Sequence, residues 1–218
     1  LSGLTSGSLN TAVGYQSLEN DSSGSYNTSM GALAGTALRT GTYNTFFGVQ
    51  AGTHAVDASH NILLGYYAGE NTYTNSNGGG SAGYNIMIGD QSGSLITYNG
   101  SYNVFIGHNA LNNPSAVPNN KLCITGGSAT NNLIYGDFNT GQVQINAAQT
   151  SPALTSSAAL EIVSTNKGLL LPRLTTSQRN SISGPVAGLV IFCTDCTAND
   201  SSTGVTETYN GTTWKNNW

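Results

Sequence analysis

The sequence predicts an all-β chain: a parallel β-solenoid with coils of about 17 residues over 1–146, then a small, mostly β (α+β) module over 147–218. Three observations predict it. A nine-residue block recurs six times, as NTAVGYQSL (10–18), NTSMGALAG (27–35), NTFFGVQAG (44–52), NILLGYYAG (61–69), NIMIGDQSG (85–93) and NVFIGHNAL (103–111), with 17, 17, 17, 24 and 18 residues between starts. The unit is too short for a helical hairpin repeat, and its Gly, Asn, Ser and Thr disfavour helix, whereas Val, Ile, Phe and Tyr beside glycine turns favour strands. From about residue 147 the period is gone.

Each block is read as one rung, its strand pairing with the same strand one coil on, at roughly 4.8 Å per coil. Before each Asn stands Leu9, Tyr26, Tyr43, His60, Tyr84 or Tyr102, an aromatic column with two departures. The Asn column itself is read as a stacked amide ladder that satisfies turn backbone groups coil after coil. The columns Thr11, Thr28, Thr45, Ile62, Ile86, Val104 and Val13, Met30, Phe47, Leu64, Ile88, Ile106 share one face of the strand and are expected to fill the coil interior. The column between them then points outward and becomes bulky from Phe46 onward, through Leu63, Met87 and Phe105. Soluble monomers rarely expose such a stripe. A homotrimer with these four residues at its interface is therefore expected, the alternative being a monomer with a loop folded over them. After 111 the pattern decays: KLCITGGSA (121–129) and NNLIYGDF (131–138) read as degenerate coils and VQIN (143–146) as a last strand.

In the C-terminal part, NAAQTSPALTSS (146–157) is a polar connector. LEIV (160–163) reads as a strand, GLLLPRL (168–174) as an extended segment ended by Pro172, and TTSQRNSI (175–182) as a short helix capped by Thr175 or Thr176. GLVIFCT (188–194) reads as a buried strand, and ETYNGTTWK (207–215) as a hairpin turning at Asn210-Gly211. A module of this size is near the limit for a self-sufficient core, so dependence on partner chains is expected.

Composition excludes several function classes. Charged residues make up 7% of the chain, with 6 Lys plus Arg and 10 Asp plus Glu, against roughly 25% in ordinary globular domains. A net charge of −4 without any Lys/Arg cluster argues against nucleic acid as a partner. No run of 18 apolar residues signals insertion in a membrane. The chain begins at Leu1 and not Met, so the absence of a signal peptide carries no weight.

The chemical candidates are few, and no cofactor or metal is expected. Cys193-Thr-Asp-Cys196 has the spacing of a redox or zinc half-site, with a local disulfide, a free thiol pair and a metal site shared between chains as its readings. Cys123 reads as a small core residue. His54, His60 and His108 fall at different places in their coils, which disfavours a metal cluster. A glycan-degrading enzyme would need paired carboxylates about 5–10 Å apart. Asp57, Glu70 and Asp90 lie on neighbouring coils but at offsets 13, 9 and 5 from their own block Asn, so no catalytic cleft is expected.

The rungs NTAVG, NTSMG, NTFFG and NVFIG, each followed by a small-residue turn, resemble the left-handed β-roll head of trimeric autotransporter adhesins and phage tail-fibre shafts. The segment ALEIVSTNKGLLLPRLTTSQRNSI…AGLVIFCTDC…ETYNGTTW is similar to a module near the end of tail-fibre-type proteins. The resemblance implies a left-handed β-roll in a homotrimeric fibre outside the cell, on a phage virion, a tail-like particle or a bacterial surface. It implies attachment to a cell-surface glycan or protein receptor and joining to other fibre or baseplate proteins. A fibre-borne polysaccharide-degrading enzyme and a passive spacer are the alternatives. Receptor contacts are expected in the excess of the 24-residue spacing, ENTYTNSNGGGSAG (70–83), through Asn71, Tyr73, Asn75 and Asn77, with Tyr209, Trp214 and Trp218 as a competing aromatic site.

Overall fold

The computed structural model describes residues 3–71, 82–94, 100–111, 119–127, 131–148, 154–197 and 203–217. These form two compact units, Leu1–Ser164 and Thr165–Trp218.

The first unit is the solenoid. Six three-residue strands, β1 (Thr11–Val13), β2 (Thr28–Met30), β3 (Thr45–Phe47), β4 (Ile62–Leu64), β5 (Ile86–Ile88) and β6 (Val104–Ile106), pair in parallel with like positions aligned, from Thr11↔Thr28 to Met87↔Phe105. β7 (Lys121–Ile124) adds parallel to β6. Of the two degenerate coils expected next, 121–129 thus supplies one more rung in register, whereas 131–138 does not. β8 (Asn131–Asp137) and β9 (Gln142–Ala148) instead run antiparallel as a meander with β7, and β10 (Leu160–Ile162) closes the ten-stranded sheet parallel to β9. Here the block Asn and its glycines are no longer in phase, so nothing turns the chain through another coil. β10 also shifts the boundary between compact units from 146/147 to 164/165, because it pairs with β9.

The parity of the strand is the reverse of the expected one. Asn27, Asn44, Asn61, Asn85 and Asn103 are buried, and with alternation this turns Ser29, Phe46, Leu63, Met87 and Phe105 into the coil, all at 0% exposure. The flanking columns face out: Val13 is 50% exposed, Phe47 54% and Ile62 40%. Phe46, Leu63, Met87 and Phe105 are thus the core of each chain and not a surface between chains. A one-residue error in parity moves every side chain of a strand to the other face, and the Asn position decides it. The interior is completed by the small residues Ala34, Ala51, Ala68 and Ala110, which leave room for the large side chains.

The Asn side chains enforce the register. Asn27 Oδ1 accepts from the backbone N–H and the side-chain amide of Asn44, both at 3.0 Å, and Asn44 Nδ2 donates to Ala58 O at 2.7 Å. The same pattern joins Asn44 to Asn61, Asn61 to Asn85 and Asn85 to Asn103, and Asn103 Oδ1 accepts from Lys121 N. The expected amide ladder is therefore present. It crosses the 24-residue spacing with the bonds it makes across 17. The turn after each strand needs glycine: Gly48 has φ +136°, and a Cβ there would lie 2.4 Å from Gly65 O.

The second unit is a four-stranded sheet in the order β11 (Arg173–Leu174), β12 (Val190–Thr197), β13 (Thr203–Tyr209), β14 (Trp214–Asn216), with β11 parallel to β12 and the rest antiparallel. α1 (Thr176–Asn180) starts at Thr175, which forms a capping box with Gln178. The expected hairpin is formed, with Tyr209 opposite Trp214 and Asn210 Oδ1 accepting from the N–H groups of Thr212 and Thr213. β12 alternates instead of being buried throughout: Ile191 and Cys193 point into a small core with Val205.

Candidate functional site

Three surfaces of the solenoid follow from the parity of its strands. On the outward face, the columns beginning at Thr28 and Met30 run side by side through β2–β6, ending in Val104 and Ile106. Met30, Phe47, Ile62 and Ile88 are exposed there. Single exposed apolar residues are ordinary, but two adjoining columns over successive coils form the continuous patch that marks an interaction surface.

Beside this face lies the aromatic column, on the side preceding the Asn. Ring centroids are 4.8 Å apart for Tyr26–Tyr43, 5.0 Å for Tyr43–His60, 4.6 Å for His60–Tyr84 and 4.9 Å for Tyr84–Tyr102. Five rings thus stack along the coil axis. Each of these residues has φ near +60°, a conformation that costs non-glycine residues roughly 1–2 kcal/mol, and the stacking offsets it. Their faces cover one another, so the ladder offers ring edges and hydroxyls but no open flat platform, except at its two ends. His60 takes the place of a tyrosine here and not of a metal ligand.

The third surface is the corner that follows each strand. In coils two and three it carries Ala32, Leu33, Val49 and Gln50, and in the next three coils Tyr66, Tyr67, Asp90, Gln91, His108 and Asn109. Backbone bonds from Gln91 N to Tyr66 O (2.8 Å) and Asn109 N to Asp90 O (3.0 Å) hold these positions in register. Tyr66 and Tyr67 pack edge to face at 4.2 Å. A hydrogen bond with Tyr67, aided by burial and the nearby acids, raises the Tyr66 phenol pKa above its ordinary value. Asp90 Oδ2 lies 3.1 Å from His108 Nδ1, and Asn109 Nδ2 lies 2.8 Å from His108 Nε2. Sequence reasoning treated Asp90 and His108 separately. Their shared offset of five from the block Asn was the signal that joins them.

Of the expected receptor residues, Tyr73, Asn75, Asn77 and Trp218 lie outside the described residues. Asn71 donates from Nδ2 to Ser94 O at 2.7 Å, a bond that ties its coil to the next. Tyr209 and Trp214 are 5.3 Å apart, and Trp214 packs against the core of the second unit, with the Arg179 guanidinium 6.0 Å from its ring centroid. Asp57 binds Thr40 and Arg39, so it and Asp90 each have separate partners.

In the second unit Cys193 and Cys196 form a disulfide, the first of their readings. Asp195 between them accepts from the N–H and hydroxyl of Thr176, and these bonds hold its carboxyl below the usual range. Arg179 reaches both carboxylate oxygens of Glu207 at 2.7 Å and Cys196 Sγ at 3.4 Å. This pair closes over the small core and had no sequence signal, the partners being 28 residues apart. Cys123 is buried in the solenoid, its thiol donating to Asn132 Oδ1, and burial pushes its pKa up to about 11. It is inert core. The second unit also exposes large apolar residues: Leu170 is 79% exposed, Val186 69% and Leu169 67%. Leu169, Leu170 and Leu171 line an apolar cleft of about 240 Å³ with Phe192 and Arg173.

Among the described residues no helix is long and apolar enough to cross a membrane. No curated protein and no solved structure matches the chain. Residues 144–217 match the family model described as phage tail like trimerisation region. That region begins inside β9 and takes in β10 and the whole described part of the second unit, whose exposed leucines are what a subunit of a trimer would bury. The C-terminal third of this chain is thus similar to a trimerisation region of phage tail-like proteins, and this supports a structural trimeric segment of a protein of the phage tail-fibre type.

Proposed function

We propose that the chain is a homotrimeric fibre segment of a phage or phage-like tail, and that it attaches the particle to a glycan or protein on a cell surface. The observation that carries the assembly is the outward apolar face of β2–β6 in a chain whose last third matches a trimerisation region. A second copy of this chain is the occupant that fits, because each copy brings the same columns at the same coil spacing, and three such faces meet about one axis. Attachment rests on the composition: a surface of Asn, Ser, Thr and Tyr with 7% charge offers hydrogen bonding without a preference for charged partners. Joining to other fibre or baseplate proteins belongs to the same reading. No catalytic role is proposed, since Asp57 and Asp90 are held by separate partners, Asp57 by Arg39 and Thr40 and Asp90 by His108.

Light scattering on the purified protein tests the assembly, with three times the chain mass expected. Phe47→Asp places a carboxylate on the outward face, where it should abolish the trimer and leave a folded monomer. The cost of burying an unpaired charge between subunits is several kcal/mol. A monodisperse monomer from the unaltered chain overturns the proposal. Adhesion of labelled protein to bacterial cells tests attachment, and a trimer that binds no cell type is a spacer.

A further inference from the structure

The corner after strands β4, β5 and β6 differs from the same corner in the second and third coils, and the difference is chemical. Those two coils place Ala32, Leu33, Val49 and Gln50 there, while the first coil carries Tyr15 and Gln16. Three successive coils then carry two phenols, a carboxylate, an imidazole and two carboxamides, all at least partly exposed. Solenoid packing does not require this change. The interior columns continue unaltered through Leu63, Met87 and Phe105, and the Asn ladder continues beneath them.

We propose that the corner formed by Tyr66, Tyr67, Asp90, Gln91, His108 and Asn109 is a carbohydrate-binding site that takes a hydroxyl-rich segment of a bacterial surface polysaccharide. The inference rests on the attachment reading above and names its ligand class. Sugars present an apolar ring face and a rim of hydroxyls, and are held by an aromatic side chain together with paired donors and acceptors. The edge-to-face pair Tyr66–Tyr67 supplies the aromatic surface, with Tyr66 itself 48% exposed. Asp90 supplies the acceptor. Its Oδ2 is oriented by His108 Nδ1, the Asp90 side chain is 44% exposed, and a carboxylate oxygen with one partner can accept a second hydrogen bond from a ligand hydroxyl. Asn109 fixes the far nitrogen of His108 and so holds the imidazole against Asp90. Adjacent coils place the phenol and the carboxylate roughly 4.8 Å apart, a spacing that suits hydroxyls along a sugar chain. The column runs along the coil axis, so an extended chain of sugars suits it better than a single compact one.

The test uses the full chain on an array of purified bacterial lipopolysaccharides and capsular polysaccharides. The unaltered protein, Tyr66→Ala, Asp90→Asn and, as a control in the same column, Val49→Ala are compared. Thermal unfolding and light scattering first show that each variant keeps its fold and mass. The expected result is binding to at least one polysaccharide, about tenfold or more weaker for Tyr66→Ala and for Asp90→Asn, and unchanged for Val49→Ala. Equal binding by all four proteins overturns the site. A trimer that binds cells but no polysaccharide overturns the ligand class and leaves the fibre reading standing, with a protein receptor as the partner. A monomer that binds polysaccharide through Tyr66 and Asp90 leaves the site standing and overturns the trimer.

Discussion

Asp21 is the residue with the least comfortable environment in the solenoid. It is fully buried in the position that Leu38 and Ala55 occupy in the next two coils. One carboxylate oxygen accepts from Gly24 N at 2.7 Å, and the other has no partner. Burial raises its pKa above the ordinary 3.8, against the lowering effect of the Gly24 and Asn27 hydrogen bonds. The sign of the consequence follows: a carboxyl with a raised folded pKa is harmless when protonated, below about pH 4, and costs stability as pH climbs through the folded value. Asp21→Asn keeps the Gly24 acceptor and should raise the melting temperature at pH 7, with the advantage vanishing below about pH 4 in a series of thermal melts. Phe46 gives the opposite case. Phe46→Ala should cost about 3–5 kcal/mol in chemical denaturation, as a cavity in a packed interior, and Phe105→Asp should prevent folding outright instead of merely separating subunits. This is where the sequence misled most. Alternation along NTFFG showed that Phe46 and Phe47 face opposite ways, but it could not say which way is in. Only the burial of Asn44 with its ladder and backbone partners settles that, and the amide ladder read from the sequence did not say on which side of the strand it runs.

At the scale of elements, the repeat was legible because its parts are local and identical. The block Asn, the glycine of the turn and the aromatic before it recur at fixed offsets, and the structure uses each of them. Elements without a repeated partner were harder. The strand at 160–162 was visible, but nothing local to it says that it pairs with Val143–Ile145 and not with the sheet that follows. The corner of Tyr66, Asp90 and His108 was hidden because the three residues differ in type, so that only their offset connects them. The aromatic ladder allows a clean measurement. Tyr–Tyr steps are nearly coplanar at 4–5°, whereas Tyr43–His60 is tilted by 27°. His60→Tyr restores a uniform stack and should stabilise the protein by up to about 1 kcal/mol, read as a shift of the denaturation midpoint.

For the whole molecule, the first unit builds its core from like positions of successive coils, while among the described residues the second buries Ile191, Cys193 and Val205 as its apolar core. Removing 165–218 should therefore leave a folded solenoid, by circular dichroism and cooperative melting, that no longer forms a uniform trimer. Ending the chain at Asn146 should be worse, because it strips β10 from β9 and leaves that edge open to aggregation; equal solubility of the two fragments would speak against it. The Asn ladder carries one more consequence. From Asn27 to Asn103 each carboxamide binds the coil beside it by the same bonds, even where 24 residues intervene in place of 17, so the stack works like a screw thread. Whole turns can be cut out or copied without mending the joint, and loops of any length can be hung between them. A gene encoding such a thread can change the reach of its product in single steps of one coil, each step yielding a protein that still folds.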